Sequence, residues 1–542
     1  MEGIMRTNEI IKQVDLVVVI TGDDKNTSFL GVNEYMGIGY IKSYLESNGI
    51  QTNINILQNV QTEYIKQKFE QTPQFIGLCM YSDNVHEVIE AANCFKSLYP
   101  TVKIAVGGPQ VNNFEEQILK DNTCFDMVTS YEAEETFLEI VERINNRKSL
   151  QGCLGVTYRD NGKIIRNPFR SPIVDLDSLP FPSRYIHEHN SQQYLYLTGS
   201  RGCLGGCSFC GETSAKKDIG RPFIRLRSPK SVVDEMEGLV NKYKMHAFRF
   251  TDATFEDTND GTGIQRAETI YDEIISRNLH VSLHLFTRAE IVDKAPASYY
   301  QKAKKAGVEC FYVGIESGSS EDIQLYNKRT TIEKNHKAIK VIRDSGIHVG
   351  IGFINFNPFS TFSTIKHNID FLHESGFGHV FYLAQTRLEL LPQSYLIKQL
   401  QKDGLIIGDF DYKSHFYNYY FKDNKMYQLY LLFKKAYTAS PIYFMDTLSG
   451  MNRVFANNNQ DNKNIGKIMH HFTELDDVCR KYDDINYKFA NKAIDMCANG
   501  ATQDQLDKLL EQTNLNGIYD EYLSLYNLTN LRVVKERLAK IL

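Results

Sequence analysis

Short apolar runs alternate with amphipathic stretches along the first 145 residues of the chain. Each run has the length of a buried strand, and each is followed by apolar residues at helical spacing. Uniformly apolar strands that alternate with helices form parallel sheets covered on both faces. Residues 1–150 are therefore predicted to form a doubly wound, Rossmann-like α/β domain. Its predicted strands are Val14–Ile20, Thr52–Leu57, Phe75–Met80, Val102–Val106 and Phe125–Thr129.

The ligands of doubly wound sheets bind at the carboxyl ends of the strands. In this chain those ends carry Thr21-Gly22, Tyr81-Ser82, Gly107-Gly108-Pro109 and Ser130-Tyr131. The glycine pair would let a flat ligand approach the backbone closely. A Gly-Gly pair is equally typical of an ordinary turn after a strand. This edge is the candidate ligand site of the first domain.

A second alternation, with a longer period, runs through residues 193–400. Ser228-Pro229 has the sequence of a helix start and opens the first helix of this region. Six βα units predict a partial (β/α)6 barrel, in which chemistry takes place on the loops that follow the strands. The predicted strands are Tyr194–Thr198, Ala247–Asp252, Val281–Thr287, Cys310–Glu316, His348–Ile354 and His379–Ala384.

Two other segments lack this alternation. Residues 151–192 contain a hairpin signal at Asn161-Gly162 and then four prolines, so they are predicted to be a hairpin and a Pro-rich linker. Residues 401–542 are predicted to be a mainly helical domain. A group of five aromatic residues at the start of this domain is typical of side chains that pack in a core, although tyrosines would also suit a substrate lid. It comprises Tyr412, Phe416, Tyr417, Tyr419 and Tyr420.

Three of the ten cysteines, Cys203, Cys207 and Cys210, are spaced C-x3-C-x2-C directly after the first predicted barrel strand. A structural zinc ion requires four ligands, so zinc would need a distant fourth such as Cys310 or a histidine. A [4Fe–4S] cluster also takes four ligands, one for each iron. Three thiolates leave one iron open to a substrate or cofactor. The number of cysteines therefore favours a cluster with an open iron.

This motif, placed after the first strand of a barrel, resembles that of the radical S-adenosylmethionine (SAM) superfamily. The resemblance covers roughly residues 193–400. It implies that the open iron binds the amino and carboxylate groups of SAM, and that electron transfer into the sulfonium yields a 5′-deoxyadenosyl radical. It also implies an electron donor of the flavodoxin or ferredoxin type.

The same resemblance assigns SAM contacts to residues at or near the strand ends. A guanidinium suits a carboxylate, while carboxylate and hydroxyl groups suit ribose and ammonium. Asp252 lies where the family has a sequence motif, but this chain lacks the two glycines and the glutamate of that motif. A single acidic residue at a strand end is otherwise most often a turn cap or an ion-pair partner. The residues assigned are Phe209, Asp252, Arg288, Glu316, Ser317 and Gly350.

The first domain and the connector "IVDLDSLPFPSRY" resemble the cobalamin-binding subgroup of this superfamily, which includes the class B methyltransferases. The matching segments are "GIGYIKSYLES", "VGGPQ" and "TSYEAEETF". The motif D-x-H-x-x-G is absent, as it commonly is in this subgroup. A scaffold that binds nothing is the alternative, because fold alone does not fix function. The resemblance assigns cobalamin contacts to Tyr81, Ser82, Gly107, Gly108, Pro109, Tyr131 and Glu132.

The expected activity is hydrogen abstraction from a substrate carbon, followed by transfer of a methyl group from methylcobalamin. The substrate would be a small molecule or a peptide, and the setting natural-product biosynthesis. A cobalamin-dependent rearrangement or cyclisation remains open, as does a non-enzymatic cobalamin or metal sensor. Methylthiolation is disfavoured because the C-terminal part is not basic. No general acid or base is identified, although His284, Tyr312 and Glu389 lie near plausible barrel positions.

Charge and hydropathy exclude other classes of partner. The chain has 61 basic and 66 acidic residues, a net charge of −5, and no long block of like charge, which argues against nucleic acid. No apolar run approaches the roughly 18 residues of a membrane span. No signal peptide is recognised, and ten cysteines without an export signal are expected to be reduced. A cytoplasmic protein is predicted.

Overall fold

The computed structural model describes residues 10–20, 34–185, 194–212, 220, 224–256, 258, 260–392, 394–408, 411–414, 416–436, 442–457, 463–513, 515, 520–530 and 533. The chain divides into two compact units. The first comprises Met1–Gln193, Ala215–Arg225 and Asp409–Phe416, and the second comprises Tyr194–Ser214, Leu226–Gly408 and Tyr417–Leu542. In the described part of the chain, no helix is both long enough and apolar enough to cross a bilayer.

The first unit contains a seven-stranded sheet with the order β2-β1-β3-β4-β5-β6-β7. The first five strands run parallel, as predicted, and β6 and β7 are antiparallel additions. The strands are β1 (Gln13–Val19), β2 (Gln51–Leu57), β3 (Phe75–Cys79), β4 (Lys103–Gly107), β5 (Met127–Thr129), β6 (Val156–Asp160) and β7 (Lys163–Arg166). The helices are α1 (Met36–Ser47), α2 (Thr62–Lys68), α3 (Val85–Leu98), α4 (Glu115–Asp121) and α5 (Glu134–Asn145).

Both faces of this sheet are covered. Along β1, Leu16 and Val18 point into one hydrophobic core, and Val17 and Val19 point into another. Strands buried on both faces are apolar throughout, which is why the runs were recognisable in the sequence. The strand order reverses direction between β1 and β3, and ligands of such sheets bind in the crevice at that point.

The segment predicted as a connector is packed onto the first unit. Its hairpin is formed, with Asn161 and Gly162 both at positive φ, and it extends the sheet instead of standing outside it. Further along, the Arg184 guanidinium bonds to Glu34 at 2.9 Å, and both side chains are almost fully buried. A Cβ on Gly39 of α1 would lie 2.5 Å from the Ser183 carbonyl oxygen. The connector therefore docks closely on α1.

The second unit contains a five-stranded sheet with the order β14-β13-β12-β11-β8, and all its pairs are parallel. Its strands are β8 (Leu195–Leu197), β11 (Ala247–Phe250), β12 (Ser282–Arg288), β13 (Val308–Glu316) and β14 (His348–Phe353). The short strand β9 (Ser200–Gly202) follows β8, and the boundary between the two units falls within β10 (Ile224–Leu226). The helices that follow are α6 (Pro229–Tyr243), α7 (Thr262–Ser276), α8 (Ala289–Val292), α9 (Ala297–Lys305), α10 (Ser320–Leu325), α11 (Ile332–Asp344) and α12 (Phe362–Glu374).

The sixth predicted strand, His379–Ala384, is wrong. This stretch is a turn that leads into the short helix α13 (Tyr382–Gln385). Beside the end of β14 there is one parallel bridge, between Phe356 and Arg387. The Phe381 ring packs against Phe433 and Phe489, which lie on helices of the C-terminal part. This tertiary packing explains an apolar run that is not a strand.

The C-terminal part is mainly helical, as predicted, apart from the strand pair β15 (Ile406–Ile407) and β16 (Asn418–Tyr419). The aromatic segment does not form one cluster. Tyr412 is fully buried in a core of the first unit, where its hydroxyl accepts a hydrogen bond from Asn122, and Tyr419 is buried in the second unit. The helices are α14 (Leu396–Lys402), α15 (Asn424–Ala436), α16 (Ile442–Asn457), α17 (Lys463–Ala498) and α18 (Gln503–Thr513).

Candidate active site

The two faces of the barrel sheet differ in exposure. Along β13, Phe311, Val313 and Ile315 are fully buried, whereas the alternating Tyr312, Gly314 and Glu316 are partly exposed. Side chains alternate between the faces of a strand, so one face packs on the surrounding helices and the other is partly exposed. We call the second one the inner face. Register brings Arg288, Gly314 and Gly352 into one row on it.

The cysteine loop follows β9 at the carboxyl end of the barrel strands. A Cβ on Gly205 would lie 3.1 Å from the Cys203 sulfur and 3.9 Å from the Cys207 sulfur, so the two sulfurs flank this glycine. The Gly205 amide donates to the Cys203 sulfur at 3.1 Å. The Cys210 amide donates to the Cys207 carbonyl at 3.3 Å, which closes the last turn of the loop.

Two other segments hold this loop in place. The Ser208 amide donates to the Tyr326 carbonyl at 3.0 Å, and the Asn327 side chain donates to the Gly206 carbonyl at 2.7 Å. From the other side, the Ser394 hydroxyl and the Tyr395 amide donate to the Ser208 carbonyl at 3.0 and 2.9 Å. The loop conformation is therefore fixed by residues more than 100 positions away in the sequence.

Buried charges surround the loop. The Arg288 Nη1 atom lies 3.1 Å from the position that a Cβ on Gly205 would occupy, and its Nε lies 3.3 Å from Glu290. Lys328 is nearly buried, with its Nζ 3.2 Å from the Glu316 Oε1. Burial raises the pKa of the Cys207 thiol, and the Lys328 ammonium opposes this shift. A cationic environment of this kind stabilises thiolates, the form that binds metal.

Glu316 is the strained residue of the site. Its φ is +70°, and the register between β13 and β14 shifts between Gly314 and Glu316. Left-handed backbone in a non-glycine residue costs free energy and is often found at functional sites. A Cβ on Gly314 would lie 2.8 Å from the Glu316 Oε1 and 3.1 Å from the Lys328 Nζ. The ion pair therefore lies directly over Gly314 on the inner face.

Two of the residues that the sequence assigned to SAM turn toward the chain itself. Asp252 is buried, and its two oxygens accept hydrogen bonds from the Gly199 amide and the Ser200 hydroxyl, each at 2.7 Å. Burial raises the pKa of Asp252 to about 6. The fully buried Ser317 hydroxyl bonds to Asn368 at 2.6 Å and accepts from the Ser319 amide. Both side chains brace loops beside the site.

Phe209 and Gly350 have different neighbours. The Phe209 ring meets Tyr326 edge-on, with 5.4 Å between centroids. Gly350 lies on the inner face, where an added Cβ would approach the Tyr312 ring at 3.0 Å and the Thr447 hydroxyl of α16 at 3.9 Å. A Cβ on Gly450 of the same helix would collide with His348 of β14. Helix α16 therefore packs against the lower part of the inner face.

Sequence reasoning missed Lys328, Glu290, Asn327 and helix α16. Glu290 stands two residues after the assigned Arg288, so its position was a usable signal. Lys328 lies twelve residues beyond its ion-pair partner Glu316, and no local pattern marks it.

The edge of the first unit is built from glycines and tyrosines. The Tyr81 ring stacks on Tyr35 at 4.1 Å, and the Tyr81 amide donates to Asn84 at 2.8 Å. Gly108 has φ +104°, and a Cβ there would lie 2.5 Å from the Met80 carbonyl oxygen. At Gly107, a Cβ would lie 2.5 Å from the Thr129 hydroxyl. Both glycines are therefore required by close packing between strand ends.

The other residues assigned to cobalamin lie at the same edge. Ser82 is in a turn, and Pro109 begins the 3-10 helix Pro109–Val111. Tyr131 has φ +59° and meets Phe169 edge-on at 5.1 Å. Glu132 forms an ion pair with Arg225 at 2.6 Å and accepts from the Ile173 amide, so its carboxylate is engaged within the chain. Thr21-Gly22 lies outside the described residues.

Comparison with known proteins agrees with this arrangement. The family model "Radical SAM superfamily" matches residues 197–384, and the model "B12 binding domain" matches residues 26–141. The chain belongs to the cobalamin-binding subgroup of the radical SAM superfamily. The cofactors of these two domains are a [4Fe–4S] cluster with SAM, and cobalamin. The predicted fold class is confirmed.

The chain is similar to two curated proteins and to one solved structure in particular. An uncharacterized methyltransferase of Pyrococcus horikoshii is 28% identical over 59% of this chain and 68% of its own length. The anaerobic magnesium-protoporphyrin IX monomethyl ester cyclase of Rubrivivax gelatinosus is 26% identical over 58% of each chain. The structure of OxsB with aqua-cobalamin and SAM bound is 18% identical, with a TM-score of 0.69 over 92% of this chain and 83% of OxsB. The chain thus spans a little over half the length of the cyclase.

The residues present fit the cofactors of these domains. The Cys203 and Cys207 sulfurs flank the space left by the absent side chain of Gly205, with Cys210 on the same loop and the Arg288 guanidinium beside it. At the sheet edge, Tyr81, Ser82 and Gly108 are partly exposed, and Gly108 leaves the backbone there without a side chain. Each cofactor therefore has a suitable site within one unit.

Proposed function

We propose that this cobalamin-dependent radical SAM enzyme transfers a methyl group to a carbon atom of a small-molecule or peptide substrate. The observation that carries the proposal is the cysteine loop, in which three thiols and buried cations meet an inner face that is partly exposed at Tyr312, Gly314 and Glu316. The methyltransferase of Pyrococcus horikoshii supports methyl transfer as the reaction.

The bound cofactors would supply a 5′-deoxyadenosyl radical from SAM and a methyl group from cobalamin. Cys203, Cys207 and Cys210 would hold the cluster. The Arg288 guanidinium would pair with the carboxylate of SAM, as its place beside the loop supports. Glu316, fixed by Lys328, would accept hydrogen bonds from the ribose or the ammonium group of SAM. Asp252 would position the cysteine loop through Gly199 and Ser200.

Methyl transfer is tested by product stoichiometry. The protein would be purified without oxygen, supplied with iron, sulfide and hydroxocobalamin, and incubated with a reductant and SAM carrying a deuterated methyl group. The substrate source is a metabolite extract. We expect one 5′-deoxyadenosine and one S-adenosylhomocysteine for each product that carries the label. C207S should abolish both, whereas C479S, which changes a cysteine outside the loop, should leave them unchanged.

A rearrangement or cyclisation is the second candidate, and the similarity to the Rubrivivax cyclase favours it. In that case 5′-deoxyadenosine would form with product, without S-adenosylhomocysteine and without label in the product. Failure to cleave SAM with an intact cluster would instead support a sensor. An electron donor of the flavodoxin or ferredoxin type remains part of the proposal.

A further inference from the structure

Below the cysteine loop, the inner face carries a group of basic and aromatic side chains, formed by Arg249, His284, Phe286 and Tyr312. Arg249 on β11 is in register with His284 on β12. The Arg249 guanidinium lies over the Phe286 ring, 5.1 Å from its centroid. The His284 ring stacks on the same Phe286 ring, with 5.6 Å between the centroids. Tyr312 meets Phe286 at 5.3 Å. We call these four residues the basic-aromatic cluster.

The positive charge of this cluster lies on the Arg249 guanidinium. Among the described residues, the Arg249 side chain forms no ion pair and no hydrogen bond. The Nε2 atom of His284 is buried without a hydrogen-bond partner, and the residue is 4% exposed. Such a buried polar atom is costly unless a ligand or water satisfies it.

The electrostatic surroundings of His284 are cationic. Burial, followed by the charges of Arg249 and His348, lowers the pKa of His284 to about 3. His284 is therefore a neutral imidazole near neutral pH, able to donate one N–H. An anion placed between Arg249 and His284 would meet a fixed positive charge and an unused hydrogen-bonding atom.

Three of the four side chains of the cluster are partly exposed. Arg249 is partly exposed, although its neighbours Phe248 and Phe250 on the same strand are fully buried. Phe286 and Tyr312 are partly exposed in the same way. His284 and Arg288 lie on the same face of β12, four residues apart, which corresponds to roughly 13 Å. A small molecule can span the distance from the cluster to the level of Arg288.

We propose that Arg249 and His284 bind an anionic group of the substrate, a phosphate ester or a carboxylate, while Phe286 and Tyr312 contact its apolar frame. This inference rests on the proposed function, because it assigns the substrate class of the same barrel. The substrate is then an organic anion whose reacting carbon points toward the cysteine loop. Neutral and cationic molecules are disfavoured.

The test is calorimetric titration of the reconstituted protein with three probes of similar size: phenyl phosphate, benzoate and neutral benzamide. We expect at least one anion to bind and benzamide to bind far more weakly. R249Q and H284Q should each weaken anion binding by about tenfold or more, the value of one charge-assisted hydrogen bond. Whichever of phenyl phosphate and benzoate binds more tightly shows whether the anionic group of the substrate is a phosphate ester or a carboxylate.

Two further variants control this result. R249K keeps the positive charge and should bind the anion more tightly than R249Q. This comparison separates the effect of the charge on binding from the effect of side-chain packing. R147Q makes the same substitution at an exposed arginine of the first unit and should match the wild type. Thermal unfolding of each variant verifies that the barrel is folded.

The proposal is overturned if no anion binds, if benzamide binds as tightly as the anions, or if R249Q and H284Q both bind like the wild type. SAM cleavage by the wild-type protein is measured separately. Its absence with an intact cluster would contradict the proposed function alone, because the titration does not require radical chemistry.

Discussion

Asp252 and Glu316 both stand at the end of a barrel strand, yet their surroundings differ. Asp252 is buried and accepts hydrogen bonds from the chain, whereas Glu316 is partly exposed, strained at φ +70° and paired with Lys328. The resemblance assigned both residues to SAM, although Asp252 lacks the glycines and the glutamate of the family motif. The direction of each side chain depends on contacts with distant residues. Glu316 is consequently the better candidate for direct cofactor contact.

The ionisation of Asp252 should make the stability of the protein depend on pH. Its pKa of about 6 in the folded chain lies above the usual value of 3.8, so protonation favours the folded state. The contribution of Asp252 to the free energy of unfolding should therefore fall by about 3 kcal/mol between about pH 4 and pH 6 and then level off. In D252N this contribution disappears. Urea unfolding of both proteins across this pH range measures the difference.

D484N is the matched control for this measurement, since Asp484 is an exposed aspartate. Its unfolding free energy should follow the wild type at every pH. A constant difference between wild type and D252N across the range would show that Asp252 does not titrate as stated.

At the level of elements, the cysteine loop depends on the end of helix α10. Tyr326 and Asn327 follow this helix, and they bond to the backbone of Ser208 and Gly206. The spacing of the cysteines is enough to propose them as cluster ligands, because that spacing is local. The support from residues 325–327 could not be predicted, because it joins segments far apart in the sequence.

Substitution of Asn327 should reveal this support. Asn327 has φ +52°, a conformation that glycine adopts freely and alanine at a cost of about 1 kcal/mol. N327G loses only the hydrogen bond to Gly206, whereas N327A loses it and adds strain. We expect both variants to retain less iron after reconstitution than the wild type, and N327A to have the lower free energy of unfolding.

Asn278 provides the control, because it is exposed and has φ +53° outside the cysteine loop. N278A should lose a similar amount of stability and keep the full iron content. If N327G and the wild type hold equal iron after dialysis against a chelator, the side-chain bond is not needed to hold the loop.

At the level of the whole molecule, the two alternations predicted both parallel sheets. This succeeded because most residues of these strands are apolar and each short apolar run is followed by a stretch with helical spacing, a pattern that survives in the sequence. The sixth barrel strand failed for a related reason: an apolar run also arises where Phe381 packs under Phe433 and Phe489. Likewise, prolines identified the connector, whereas its docking through Arg184 and Glu34 depends on tertiary structure.

Each of the two units has its own hydrophobic core, and each contains one of the candidate cofactor sites. Cluster and cobalamin loading should therefore be separable. The variant C203A/C207A/C210A should lose its iron, about four atoms in the wild type, and keep the corrin absorbance. G108A should keep its iron and lose the corrin absorbance. Gly108 has positive φ, and a Cβ there would lie 2.5 Å from the Met80 carbonyl oxygen. Iron analysis measures the iron content of each variant after reconstitution, and visible spectra measure its corrin absorbance. Loss of corrin from the cysteine variant would contradict independent loading.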